Sequence, residues 1–276
     1  MSATQAAEPA PQPILSIRGI VKHFGGVVAV DGSSFDIERG SITGLIGPNG
    51  AGKTTLFNII AGFFKPDSGE VLLDGEDVTG LPPHKLFGRG LVRTFQIPHA
   101  FERMTVLDNL MVVPGGQGGE NLFRSWLRWG SVKTEEREIS LRALEVLDFL
   151  QIEHLRGEYA GTLSGGQKKL LELGRTMMTD ARLVLLDEPG AGVNPTLMVK
   201  LRKDIRRLNE ERGYTFCIIE HDMDTIAELC QPIVVMAEGR VLTIGTMEEI
   251  RANEEVLDAY LGGKKPAAAP VPESTP

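Results

Sequence analysis

Apolar and polar positions alternate over Ile14 to Ile20 and Val27 to Ile37, the two-residue period of strands that bury one face. The pattern then changes to a continuous apolar run, Ile42 to Ile46, which reads as a strand covered on both faces and leads into a glycine-rich turn and a helix. Leu91 to Phe95, Leu183 to Leu186 and Thr215 to Ile219 predict further strands. Between the last two lies a helix that Asn194 caps, Pro195 opens and Gly213 ends. Ile233 to Ile244 predicts a hairpin turning through Glu238 and Gly239, and the capping box from Thr246 to Glu249 opens a last helix. Strands alternating with helices predict an α/β fold with a mostly parallel sheet, preceded by an antiparallel β subdomain.

From Thr105 to about Leu163 the period is helical, with a glycine-rich interruption over Pro114 to Gly119 followed by Trp126 and Trp129. Ile139, Ala143, Val146, Leu147 and Leu150 recur at helical spacing behind Thr134, read as a cap, with Glu135 and Glu136 in the first turn. This stretch reads as an inserted α-helical subdomain, about 97–163. Residues 1–13 and 264–276 lack the periodicity needed to bury a face and are expected to be disordered tails around a folded unit, 14–263.

Composition narrows the function more than the fold. No apolar run reaches about eighteen residues, so nothing in the sequence is expected to span a bilayer. The start of the chain has neither the basic nor the apolar region of a signal peptide, which predicts a cytoplasmic protein. A net charge of -8 argues against a nucleic-acid binder. Cys217 and Cys230 are too few for a disulfide framework or a zinc site and read as small buried hydrophobes.

Gly47-Pro48-Asn49-Gly50-Ala51-Gly52-Lys53-Thr54 matches the P-loop pattern in full and lies between a predicted strand and a predicted helix. The glycines let successive backbone N–H groups point at phosphate oxygens, and the following helix adds its positive end. Lys53 is suited to the β- and γ-phosphates, Thr54 to magnesium and Thr55 to the α-phosphate. The core is therefore expected to be a P-loop NTPase core that binds ATP with Mg²⁺. The run Leu183 to Leu186 ends in Asp187 and Glu188, carboxylates at the strand edge where α/β sheets bind ligands. Asp187 is suited to hold magnesium through water and Glu188 to polarise the water that attacks the γ-phosphate. The alternative for the pair is a solvated strand end.

Leu163-Ser164-Gly165-Gly166-Gln167 resembles the signature sequence of ATP-binding-cassette (ABC) ATPases, with Gln167 placed 20 residues before Asp187. In that family the signature completes the partner's nucleotide site, so the resemblance implies a dimer with a second ATPase, identical or different. It further implies that Gln96 contacts magnesium and couples to transmembrane permease subunits. His221 would contact the γ-phosphate, and Phe24 would stack on adenine unless it is a core residue. Many cassettes continue Thr-Ser-Ala-Leu-Asp after the segment matching Glu188-Pro189, whereas this chain reads Gly190-Ala191-Gly192-Val193-Asn194. With Arg93-Thr94-Phe95-Gln96, the insertion around Pro114 to Ser131 and the ending Leu257 to Gly263, that variant resembles the ATPases of branched-chain amino acid importers. A solute-binding protein would be an indirect partner. The same chemistry could serve urea or lipopolysaccharide transport, or a non-transport ABC ATPase.

Overall fold

The computed structural model describes residues 12–94, 100–115 and 129–261. Gln96, nearly all of the two tails and most of the insertion after Pro114 lie outside them. The first half of the chain forms β1 (Leu15–Phe24), β2 (Val27–Ile37), β3 (Ile42–Ile46), α1 (Lys53–Ile60), β4 (Ser68–Leu73), β5 (Glu76–Asp77), α2 (Pro83–Phe87) and β6 (Leu91–Arg93). Next come α3 (Val106–Met111), α4 (Trp129–Phe149) and, beyond the helical stretch read in the sequence, α5 (Gly165–Met177). There follow β7 (Leu183–Asp187), α6 (Pro195–Arg212), β8 (Thr215–Ile219), α7 (Met223–Leu229), β9 (Ile233–Ala237), β10 (Arg240–Gly245), α8 (Met247–Ala252) and α9 (Glu254–Leu261).

The strands make two sheets, as the change of period in the sequence implies. One is antiparallel in the order β2-β1-β4-β5, and the other runs β10-β9-β3-β8-β7-β6 with parallel pairing from β9 through β6. Every residue of β3, β7 and β8 is buried, which explains their unbroken apolar character. Successive side chains divide between two cores. Val184, Leu186, Phe216 and Ile218 pack toward the helical segment, while Leu183, Leu185, Cys217 and Ile219 pack toward α1 and the antiparallel sheet. Cys217 and Cys230 are both free and buried. Burial pushes both thiols up, Cys230 to about 12.

Three boundaries differ from the sequence reading. Thr134 is not a cap: α4 runs upstream through Gly130 to Trp129, because a glycine inside a helix weakens it without ending it. Described strand β6 ends at Arg93. The helix opened by the Thr246–Glu249 capping box, both halves of which form, is followed by a further helix, α9. The other signals behave as read. Glu238 and Gly239 turn the β9–β10 hairpin with φ of 49° and 82°, and Gly213 ends α6 in a left-handed conformation.

Asn194 caps α6 by accepting the Leu197 N–H at 2.9 Å. Asn194→Ala should therefore lower stability by about 1 kcal/mol in chemical denaturation, and Asn194→Asp should leave it nearly unchanged, since aspartate caps equally well.

Candidate nucleotide site

Parallel pairing places Leu45 beside Ile219 and Ile219 beside Asp187, so β3, β8 and β7 end at one edge of the sheet. The loop after β3 curls there. Gly47, Gly50 and Gly52 have φ of 149°, 82° and 95°. A Cβ on Gly47 would lie 2.1 Å from the Met236 carbonyl oxygen, and one on Gly52 2.3 Å from that of Ala29, so only glycine fits either place. Pro48 is half-buried, Asn49 and Gly50 are exposed and Ala51 is buried. Lys53 opens α1 with its ammonium donating to the carbonyls of Gly47 at 2.7 Å and Pro48 at 3.0 Å. Burial lowers its pKa, and the nearby charges of Glu188 and Asp187 raise it again. Thr54 is exposed and Thr55 half-buried in the first turn of α1.

Asp187 is buried, and its Oδ2 accepts from Arg93 Nη2 at 2.7 Å. Arg93 Nη1 donates to Asn58 Oδ1 of α1 at 2.6 Å, and the guanidinium sits 5.6 Å from the centre of the Phe63 ring. The sequence supplied no role for Arg93 beyond its place in Arg93-Thr94-Phe95-Gln96, because its carboxylate partner lies 94 positions away. Glu188 follows with φ of 48°, a left-handed conformation that a residue with a side chain keeps only when its surroundings hold it. Its N–H donates to the Ile219 carbonyl at 2.9 Å, and its Oε1 lies 3.0 Å from His221 Nε2. Lys53, Asp187, Glu188 and His221 are thus brought together.

Phe24 is 44% exposed at the end of β1, which removes the core alternative. Its ring meets Phe64 edge-on with centroids 5.4 Å apart, and the Lys22 ammonium lies 5.6 Å from its centre. Ser164 caps α5: Gln167 N–H donates to its Oγ, while Gln167 Oε1 accepts the Ser164 N–H at 2.9 Å. Leu163 is buried, whereas Ser164 and Gly165 are exposed. Gly166 has a packing role that the sequence did not reveal. A Cβ there would lie 1.9 Å from Leu197 Cδ2 of α6.

The ABC transporter family profile matches residues 30–191, more than half of the chain. The chain belongs to the ABC transporter family. A second profile, of branched-chain amino acid ATP-binding cassette transporters, matches residues 240–265. The cassette is 40% identical over 251 residues to the high-affinity branched-chain amino acid transport ATP-binding protein BraF of Pseudomonas aeruginosa, covering 91% of this chain and 98% of that one. It is 38% identical, with the same coverage, to the corresponding LivG protein of Escherichia coli. Among solved structures, a nucleotide-free ATP-binding cassette from an ABC transporter superposes with a TM-score of 0.77 at 38% identity, covering 90% of this chain and 98% of that chain. A cassette in its ADP conformation gives 0.77 at 38% identity, covering 91% and 99%. The chain is therefore an ATPase subunit with a nucleotide-binding P-loop fold.

The cassette's donor groups suit magnesium. The Thr54 hydroxyl and the Asp187 carboxylate offer hard oxygen atoms of the kind magnesium takes.

The Arg93–Asp187 pair is buried on both sides, at 8% and 7% side-chain exposure. Arg93→Ala should destabilise the cassette by about 3 to 5 kcal/mol in chemical denaturation, because it leaves a buried carboxylate without its cation.

Proposed function

We propose that this cassette hydrolyses Mg-ATP as one half of an ATPase dimer and energises uptake of branched-chain amino acids through permease subunits. The observation that carries the hydrolytic part is the convergence of Lys53, Asp187, Glu188 and His221 at one sheet edge, with His221 Nε2 3.0 Å from Glu188 Oε1. Lys53 and the backbone N–H groups from Pro48's successor Asn49 to Thr55 hold the phosphates. Glu188 orients and polarises the attacking water, and His221 steadies both Glu188 and the γ-phosphate. Magnesium held by Thr54 and Asp187, with Gln96 as a further ligand, would neutralise charge on the β- and γ-phosphates. Phe24 offers the adenine an exposed face to stack on.

The exposed Ser164 and Gly165, at the start of a helix of 13 residues, suit a γ-phosphate brought by a second cassette. Leu163, Gly166 and Gln167 hold that turn in shape. The branched-chain amino acid part is supported by the names of the relatives and by the profile over residues 240–265. Among the described residues no helix is long and apolar enough to cross a membrane. Attachment at the cytoplasmic face therefore falls to the permease, with a solute-binding protein as indirect partner. A cleft of about 340 Å³, lined by Phe87, Phe101, Thr94 and Arg175, opens between the residues that flank the Gln96 segment and suits a permease segment.

Glu188→Gln keeps size but removes the charge that polarises water, so turnover should fall by roughly 10² or more while ATP still binds. Size-exclusion chromatography with Mg-ATP should then show this variant, with its natural partner ATPase if that is a different chain, trapped as a dimer. Ser164→Arg in the same background should return it to monomer. Wild-type turnover in Glu188→Gln would refute the role. Phe24→Ala should weaken ATP binding by about 1 to 3 kcal/mol in calorimetric titration with an unchanged melting temperature, the ring being exposed.

A further inference from the structure

Glu220 is a buried carboxylate, 6% exposed, which the hydrolytic scheme above leaves without a task. It stands on the segment leaving β8, and its side chain ties that segment to the one leaving β7. Oε1 accepts the Gly190 N–H at 2.7 Å, and Oε2 accepts the His221 N–H at 3.0 Å. Gly190 lies on the segment leaving β7, two residues past Glu188, while His221 lies on the segment leaving β8. The same two segments meet again through the Glu188 and His221 side chains, and a third time through the Glu188 N–H on the Ile219 carbonyl. Hydrogen bonds from backbone N–H to a carboxylate are short and directional, so a carboxylate bonded at both ends fixes the spacing of the two backbones.

Gly190 is shaped to this contact. A Cβ there would lie 2.7 Å from Glu220 Oε1 and 2.8 Å from Met198 Cε, so a side chain would drive the carboxylate off. Lys169 of α5 is buried beside the group: burial lowers its pKa, and Glu172, Glu220, Asp187 and Glu188 raise it again.

We propose that Glu220 is a positioning residue for ATP hydrolysis, locking the segment after Glu188 to the backbone of His221 so that the water-polarising carboxylate and the imidazole keep one spacing. The proposal rests on the hydrolytic reading of Glu188 given above. Steady-state ATPase measurements on the full chain, assembled with its transporter partners, should compare wild type, Lys53→Ala, Glu220→Ala and Glu220→Gln. Glu220→Ala should lower kcat by about tenfold or more and leave KM for ATP within about twofold, because geometry is lost and the phosphate contacts are not. Glu220→Gln, which retains one accepting oxygen, should fall between this and wild type, and it carries the test alone if Glu220→Ala unfolds. In a His221→Ala background Glu220→Ala should remove less than about a further twofold, a coupling that a merely structural role would not give. Wild-type kcat in the Glu220 variants, or a full independent loss in the His221→Ala background, overturns the proposal. A wild type no faster than Lys53→Ala would instead overturn the hydrolytic reading, and the proposal with it.

Discussion

In-register parallel pairing of β3, β8 and β7 is the constraint on which the chemistry depends. Each of these strands buries alternate side chains in two separate cores, so a slip of one residue would send Val184 and Leu186 to the wrong side. The same slip would carry Asp187 and Glu188 away from Lys53. Apolar burial in the middle of the strands thus sets the positions of charged groups at their ends. The antiparallel sheet contributes from the other side, because the Ala29 carbonyl of β2 lies where any side chain on Gly52 would have to go.

Several charged groups share the sheet edge, and each is accommodated differently. Asp187 is matched by the Arg93 guanidinium, Glu188 by the imidazole of His221 and Glu220 by backbone N–H groups. Buried charges are tolerated only when paired or well bonded, and here the carboxylates and the cations offset one another's desolvation. Lys53 and Lys169 feel burial as their largest influence, with nearby carboxylates opposing it.

What the sequence reveals about this molecule is mostly local. The P-loop, the strands that end in Ile46, Asp187 and Ile219, and the caps at Asn194 and Thr246 depend on a few neighbouring residues. What it conceals depends on which residues the sheet brings together. Arg93 meets Asp187 across 94 positions and Glu220 meets Gly190 across 30, and neither follows from spacing along the chain. Gly166 was legible as a member of the signature, but its need for the absence of a side chain comes from Leu197 on another helix. The exposure of Phe24 is likewise a property of the assembled sheet edge.

The two cysteines carry a different kind of consequence. Thiol reagents attack the thiolate, which in Cys217 and Cys230 is disfavoured by burial and sterically shielded within the parallel sheet and beside it. The sequence holds no others. The native fold is therefore nearly silent toward maleimides and disulfide-exchange probes, and a single cysteine placed on its surface would be the one site that reacts. Conversely, labelling of Cys217 in the unaltered protein would report opening of the central sheet, and labelling of Cys230 a loosening of the short helix that it ends.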